Sequence, residues 1–204
     1  MDPHLLAVAR AAKGFMPDDE GLALYEAGLK GAPVGPLLEV GSYCGKSAVY
    51  LGAAARAGGA VLFSVDHHHG AEENQSGWEH HDPEVVDPES GRLDTLPFFR
   101  RTIATAGLED VVVGVVGDSP TVARHWRTPL GVLFIDGGHA FDVVIADYEG
   151  WAPNVAPDGL LVFHDVFEDP AEGGQAPFQV WQRAVADGFG PVSTTGSLRV
   201  LRRP

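Results

Sequence analysis

A single cysteine, Cys44, stands among 204 residues, so no disulfide can close within the chain and a reducing compartment is expected. Basic side chains are scarce as well. Fourteen Lys and Arg face 28 Asp and Glu, a formal net charge of -14 with no basic run to offset it. Such a charge repels polyanions, which makes duplex nucleic acid and anionic membrane surfaces poor partners. No apolar run approaches the ~20 residues that span a bilayer. The N-terminal stretch MDPHLLAVARAAKGF lacks the basic start, long apolar core and small-residue cleavage site of a secretory signal. These absences lead to the expectation of a soluble, cytoplasmic protein with no nucleic-acid or membrane partner.

What is present is apolar and regularly spaced. The chain is 45% hydrophobic, and its length fits one domain over residues 1–204 that buries roughly 70% of the surface its unfolded chain exposes. Helical patterns over 3–12 and 19–30 come first, the second led in by Pro17-Asp18-Asp19 and closed by Gly31. Short apolar strands at 37–40, 60–65, 111–116, 132–135 and 160–163 then alternate with helices at 46–56, 95–106, 120–126, 141–152 and 177–187. Strands apolar on both faces that alternate with three-turn helices predict a doubly wound α/β fold: a mostly parallel, Rossmann-like sheet with helices on both faces. The segment 191–202, with Thr195-Gly196 near its middle, reads as two antiparallel strands, completing seven with the last reversed. Residues 1–34 read as an N-terminal helical cap. The polar stretch 67–94, in which Trp78 is the lone large apolar residue before Val85, reads as a lid inserted after the second strand.

Each of the five apolar strands ends in a polar cluster: Gly41-Ser42-Tyr43-Cys44-Gly45, Asp66, Gly117-Asp118-Ser119, Asp136-Gly137-Gly138-His139 and His164-Asp165. In a parallel sheet those ends face one side, so clusters far apart in sequence meet along one crevice. The first, continued by Lys46-Ser47, is one residue too short between its glycines for a phosphate-binding P-loop, and Tyr43 stands where the dinucleotide fingerprint needs glycine. Alone it is equally a plain strand-to-helix turn. Asp66, 25 residues beyond Gly41, is placed to accept hydrogen bonds from ribose hydroxyls.

The segment LLEVGSYCGKSAVYLGAAARAG closely resembles the first motif of class I S-adenosylmethionine-dependent methyltransferases, in particular the catechol O-methyltransferase-like branch. TAGLEDVVVGVVGDS, FIDGGH and LLVFHDV resemble that branch's later motifs in order, so the likeness spans roughly residues 35–66 and 95–168. Antibiotic-tailoring sugar O-methyltransferases share the layout. The resemblance implies S-adenosyl-L-methionine as cofactor, a small-molecule acceptor methylated on a hydroxyl, and a homodimer. It also implies roles: Gly41 and Gly45 let the backbone approach the methionine part, with Tyr43 and Ser47 near its carboxylate and Glu39 beneath the turn. Asp66 would hold the ribose, and Asp118 with Ser119 the adenine, although the same pair equally caps the helix that follows.

At the reacting end, the catechol-type branch holds a divalent metal with an acid after the fourth strand and an acid pair after the fifth. Asp136 matches the first, and His164-Asp165 stand for the pair. An imidazole in the set favours Mn, Fe or Zn over Mg, or no metal at all with His164 acting on the proton. His139, at the position of that branch's catalytic lysine, is the first choice for general base, with a capping role as the alternative. Two carboxylates beside it are expected to raise its pKa. In an extended chain His67 and His69 share one face and His68 the other, so at most two converge on an ion. His80 and His81 add donors in the lid. Trp78, Phe141, Trp151 and Phe167 are candidates to wall an aromatic acceptor. Two other functions compete: a metal-dependent hydrolase built on the His/Asp cluster, and a non-catalytic cofactor-binding protein.

Overall fold

The computed structural model describes residues 1–78 and 80–204. Seven strands form one sheet in the order β3-β2-β1-β4-β5-β7-β6. They are β1 (Leu37–Val40), β2 (Leu62–Asp66), β3 (Val112–Val116), β4 (Leu130–Ile135), β5 (Val155–Phe163), β6 (Gly190–Thr195) and β7 (Leu198–Arg202). Pairings among β1 to β5 are parallel, and β7 runs antiparallel to both β5 and β6.

Alternation along each strand divides the core. Leu37, Val132 and Leu160 pack on one face with helices α1 (Pro3–Ala11), α2 (Asp18–Gly31), α3 (Lys46–Gly58) and α4 (Leu96–Ala106). Their neighbours Leu38, Leu133 and Leu161 pack on the other face with α5 (Ser119–His125), α6 (Phe141–Trp151) and α7 (Ala176–Ala186). Successive side chains of a strand point to opposite faces, so strands covered on both sides must be apolar throughout. The N-terminal helices thus pack on one face beside α3.

Local chemistry sets the helix starts. Pro3 opens α1 while the Asp2 carboxylate accepts from His4 N at 2.7 Å, and Asp118 caps α5 by accepting from Thr121 N at 3.0 Å. β5 begins five residues earlier than its apolar run suggests. Ala156-Pro157-Asp158-Gly159 reads as a turn, yet Asp158 adopts φ 63 inside the strand, with a register shift against β4. Within 67–94 lie two short 3-10 turns, Glu72–Asn74 and Pro83–Val85, and a bridge from Val86 to Leu93.

Register positions the site. Val40 pairs with Val65 and with Ile135, and Ile135 pairs with Phe163. The next residues, Gly41, Asp66, Asp136 and His164, therefore stand in a row at one edge, where the strand order reverses between β1 and β4.

Candidate active site

The turn after β1 approaches its neighbour closely. Gly41 has φ 84, and a Cβ there would stand 2.2 Å from the carbonyl oxygen of Asp136, so a side chain is excluded by both torsion and space. Asp66 holds the turn from β2. Its Oδ2 accepts from Ser42 N at 2.8 Å and Tyr43 N at 2.9 Å, and its Oδ1 accepts from His68 N at 2.7 Å. Ser42 Oγ also donates to Oδ2 at 3.3 Å, so of the two oxygens only Oδ1, with a single donor, keeps a lone pair for a further hydrogen bond.

That cavity, about 800 Å³, runs along the row of strand ends. Gly41, Tyr43, Ser47, Asp66, Asp118 and Ser119 line it at one end. Asp136, His139, His164, Asp165 and Phe167 line it at the other. Ser119 Oγ donates to Asp147 and accepts from Trp151 Nε1 at 2.8 Å, and Asp118 caps α5, so both face the cavity while already bonded to the protein. Glu39 lies beneath the turn, fully buried in β1, where its Oε1 accepts from Ser64 Oγ at 2.6 Å. Burial raises its carboxyl to about 8, so it is neutral near pH 7 and has no free charge to offer a ligand.

At the reacting end, donor atoms of Asp136, His139 and Asp165 lie within 4.8 Å of one another. His139 Nε2 is 3.0 Å from Asp165 Oδ2, and its Nδ1 is 3.1 Å from Glu73 Oε1. Burial works against an imidazolium there, but bonds to Asp165 and Glu73 outweigh it and hold the His139 pKa at about 10. Burial likewise opposes an ionised Asp165, yet His139 and His164 keep it well below the carboxylate range.

His164 lines the cavity beside that group. Its Nδ1 meets Asp136 Oδ1 at 3.0 Å and Asp165 Oδ2 at 3.3 Å, and its Nε2 meets Glu20 Oε2 at 2.6 Å. Both nitrogens therefore face carboxylates. Burial is overcome by these carboxylates, which hold the His164 proton far above the ordinary imidazole range.

Sequence reading missed Glu20 and Glu73. A signal for Glu20 existed, since it falls on the stripe that α2 buries with Leu24 and Ala27, where an acid is out of place. Glu73 lies in a polar loop and carries no such mark. Among the described residues no other histidine falls in a group with metal-ligand spacing: the rings of His67 and His69 stack at 6.0 Å, His68 is buried against Thr95, and His81 Nδ1 meets Asn74 O. Of the four aromatic candidates, Phe167 lines the cavity, Trp151 is fully buried in the core, and Trp78 and Phe141 are exposed.

A family model described as a methyltransferase domain matches residues 38–166, which spans all of these strand ends from β1 to β5. The chain belongs to that family. Solved structures share its fold. An O-methyltransferase from Bacillus cereus in complex with SAH is 16% identical, with 100% of this chain and 92% of that one covered and a TM-score of 0.64. An SAH-bound methyltransferase from Podospora anserina is 13% identical, covering 100% and 89%, with a TM-score of 0.65. A TDP-rhamnose 3'-O-methyltransferase of calicheamicin biosynthesis is 14% identical, covering 89% and 78%, with a TM-score of 0.63. The family model makes the protein a methyltransferase, and the solved structures show that it shares the fold of O-methyltransferases. No helix among the described residues is long and apolar enough to cross a membrane.

Proposed function

We propose that this methyltransferase moves the methyl group of S-adenosylmethionine to a hydroxyl oxygen of a small molecule. The observation that carries this reading is the convergence of Asp136, His139 and Asp165 at one end of the cavity whose other end is the glycine turn and Asp66. Methyl transfer to oxygen is an in-line displacement on a carbon already activated by the sulfonium. The protein must align donor and acceptor, exclude water and relieve the hydroxyl of its proton.

The turn at Gly41–Gly45 would admit the methionine portion, Asp66 would receive ribose hydroxyls, and Asp118 with Ser119 would border the adenine. Segments 1–34 and 67–94 would form the cap and lid of the acceptor end, since Phe15, Glu73 and His80 line the cavity there. Bonds to Asp165 and Glu73 hold the His139 proton at neutral pH. It becomes a base once positive charge arrives beside it, because a like charge disfavours the imidazolium. The sulfonium supplies one such charge.

In an alternative to that role, His139 gives its lone pair to an ion instead of taking a proton: the two carboxylates and one imidazole of Asp136, His139 and Asp165 suit Mg, Mn, Fe or Zn, and Glu73 behind His139 matches the carboxylate that commonly orients a ligating histidine. When bound, such an ion would lower the pKa of a coordinated acceptor hydroxyl. The test is transfer of a labelled methyl from S-adenosylmethionine to a panel of phenols, sugars, hydroxy acids and aromatic amines, with and without EDTA. Labelled ether products support the reading; transfer confined to amines or carbons in such a panel would overturn the oxygen assignment.

A further inference from the structure

We propose that Glu20, far from the motifs in sequence, is a positioning residue of the reacting end, which sets both of its carboxylates from below. Glu20 sits in the first turn of α2 and is 4% exposed; His164 is 5% exposed. One path runs through the ring: Glu20 Oε2 to His164 Nε2 at 2.6 Å, then His164 Nδ1 to Asp136 Oδ1 at 3.0 Å and to Asp165 Oδ2 at 3.3 Å. A second runs through the turn between β6 and β7. Ser197 N donates to Glu20 Oε1 at 2.5 Å, Ser197 Oγ donates to Glu20 Oε2 at 3.3 Å, and Asp165 N donates to Ser197 Oγ at 3.2 Å. Asp165 adopts φ 54, a strained torsion for a residue with a side chain, which this bond helps to hold.

The turn is shaped around the acid. Gly196 has φ 51, and a Cβ there would lie 2.1 Å from Glu20 Oε1. An apolar side chain would suit the buried stripe of α2 better, because desolvating a carboxylate costs several kcal/mol. What the acid adds is direction. A ring held by carboxylates on both nitrogens cannot flip without losing them, so it presents Nδ1–H to Asp136 and Asp165 in one orientation, as outer partners orient ligands at metal and catalytic sites. The inference rests on the proposed function only for what Asp136 and Asp165 then do.

The experiment compares wild type, Glu20→Gln, His164→Asn and the double variant. In nitrogen-15 NMR of labelled protein, wild type should give two exchange-protected imidazole N–H signals that His164→Asn removes, and Glu20→Gln should move or broaden the Nε2–H signal. With an accepted hydroxyl substrate, each single variant should lower kcat about 10–100-fold, leave KM for S-adenosylmethionine within about threefold, and combine with no further loss. Wild-type imidazole signals that persist unchanged in Glu20→Gln, or losses that multiply in the double variant, would overturn the proposal. Should Glu20→Gln not fold, Glu20→Asp, which keeps the charge but draws it back by one methylene, is read the same way; failure of both to fold makes the residue structural and also overturns it. The NMR arm needs neither cofactor nor acceptor. Wild type that fails to bind S-adenosylhomocysteine therefore defeats the proposed function while the ring's restraint by Glu20 is still decided.

Discussion

Glu73 Oε1 lies 3.1 Å from His139 Nδ1, joining the loop after β2 to the imidazole at the reacting end. Together with Asp165 it holds the His139 pKa at about 10 against the effect of burial. Glu73→Gln removes one of the two carboxylates, so the pKa should fall towards the ordinary imidazole value. Histidine ring protons followed by NMR titration measure this directly, and a His139 titration unchanged by the substitution would contradict the pairing.

Glu39 predicts a pH dependence of stability. Its buried carboxyl titrates at about 8 in the fold, far above an unfolded glutamate at about 4.3. Between those values the native state binds the extra proton, so the stabilisation from this group is full below the unfolded pKa and is lost as pH rises through about 8. Glu39→Gln cannot ionise. From about pH 5 to about pH 9 the Tm of wild type should fall more steeply than that of the variant, and parallel profiles would contradict a neutral Glu39.

Gly41 tolerates no side chain. Gly41→Ala combines a left-handed torsion with a Cβ 2.2 Å from a backbone oxygen, and the strain term alone costs about 1–3 kcal/mol. The expected outcome is a lower Tm together with loss of cofactor binding, read by thermal unfolding with and without S-adenosylhomocysteine. A variant with wild-type Tm and affinity would refute the close approach.

Glu73, Asp142, Asp165 and Glu172 line the cavity against two lysines, Lys46 and Lys13, the latter engaged by Asp82 and Glu84. Anionic acceptors should therefore be disfavoured relative to neutral ones of the same shape. A phenol and its ring-carboxylated counterpart, compared in kcat/KM at low and high salt, check this; a preference for the anion at low salt would contradict it.

Legibility followed locality. The strand ends were readable because each apolar run stops abruptly at a polar cluster, and parallel pairing of β1 with β2 and β4 then sets Gly41, Asp66 and Asp136 side by side. The geometry of His164 was not readable, because its partner Glu20 lies 144 residues away and no local pattern links α2 to the end of β5. Trp151 failed as an acceptor wall for a related reason. It lies on the face of α6 turned to the sheet, and it is the packing with Trp126, with ring centroids 5.6 Å apart, that decides its place. The start of β5 was hidden by Pro157-Asp158-Gly159, a turn signal used here as an irregularity within a strand.

The most direct test of the central claim is a calorimetric titration of the protein with S-adenosylhomocysteine, repeated on Asp66→Ala. The account predicts micromolar binding by wild type and at least about a tenfold weakening in the variant, roughly 1.4 kcal/mol, since Asp66 both supports the turn and faces the cavity. Absence of binding by folded wild type, or equal affinity in the two proteins, would contradict it.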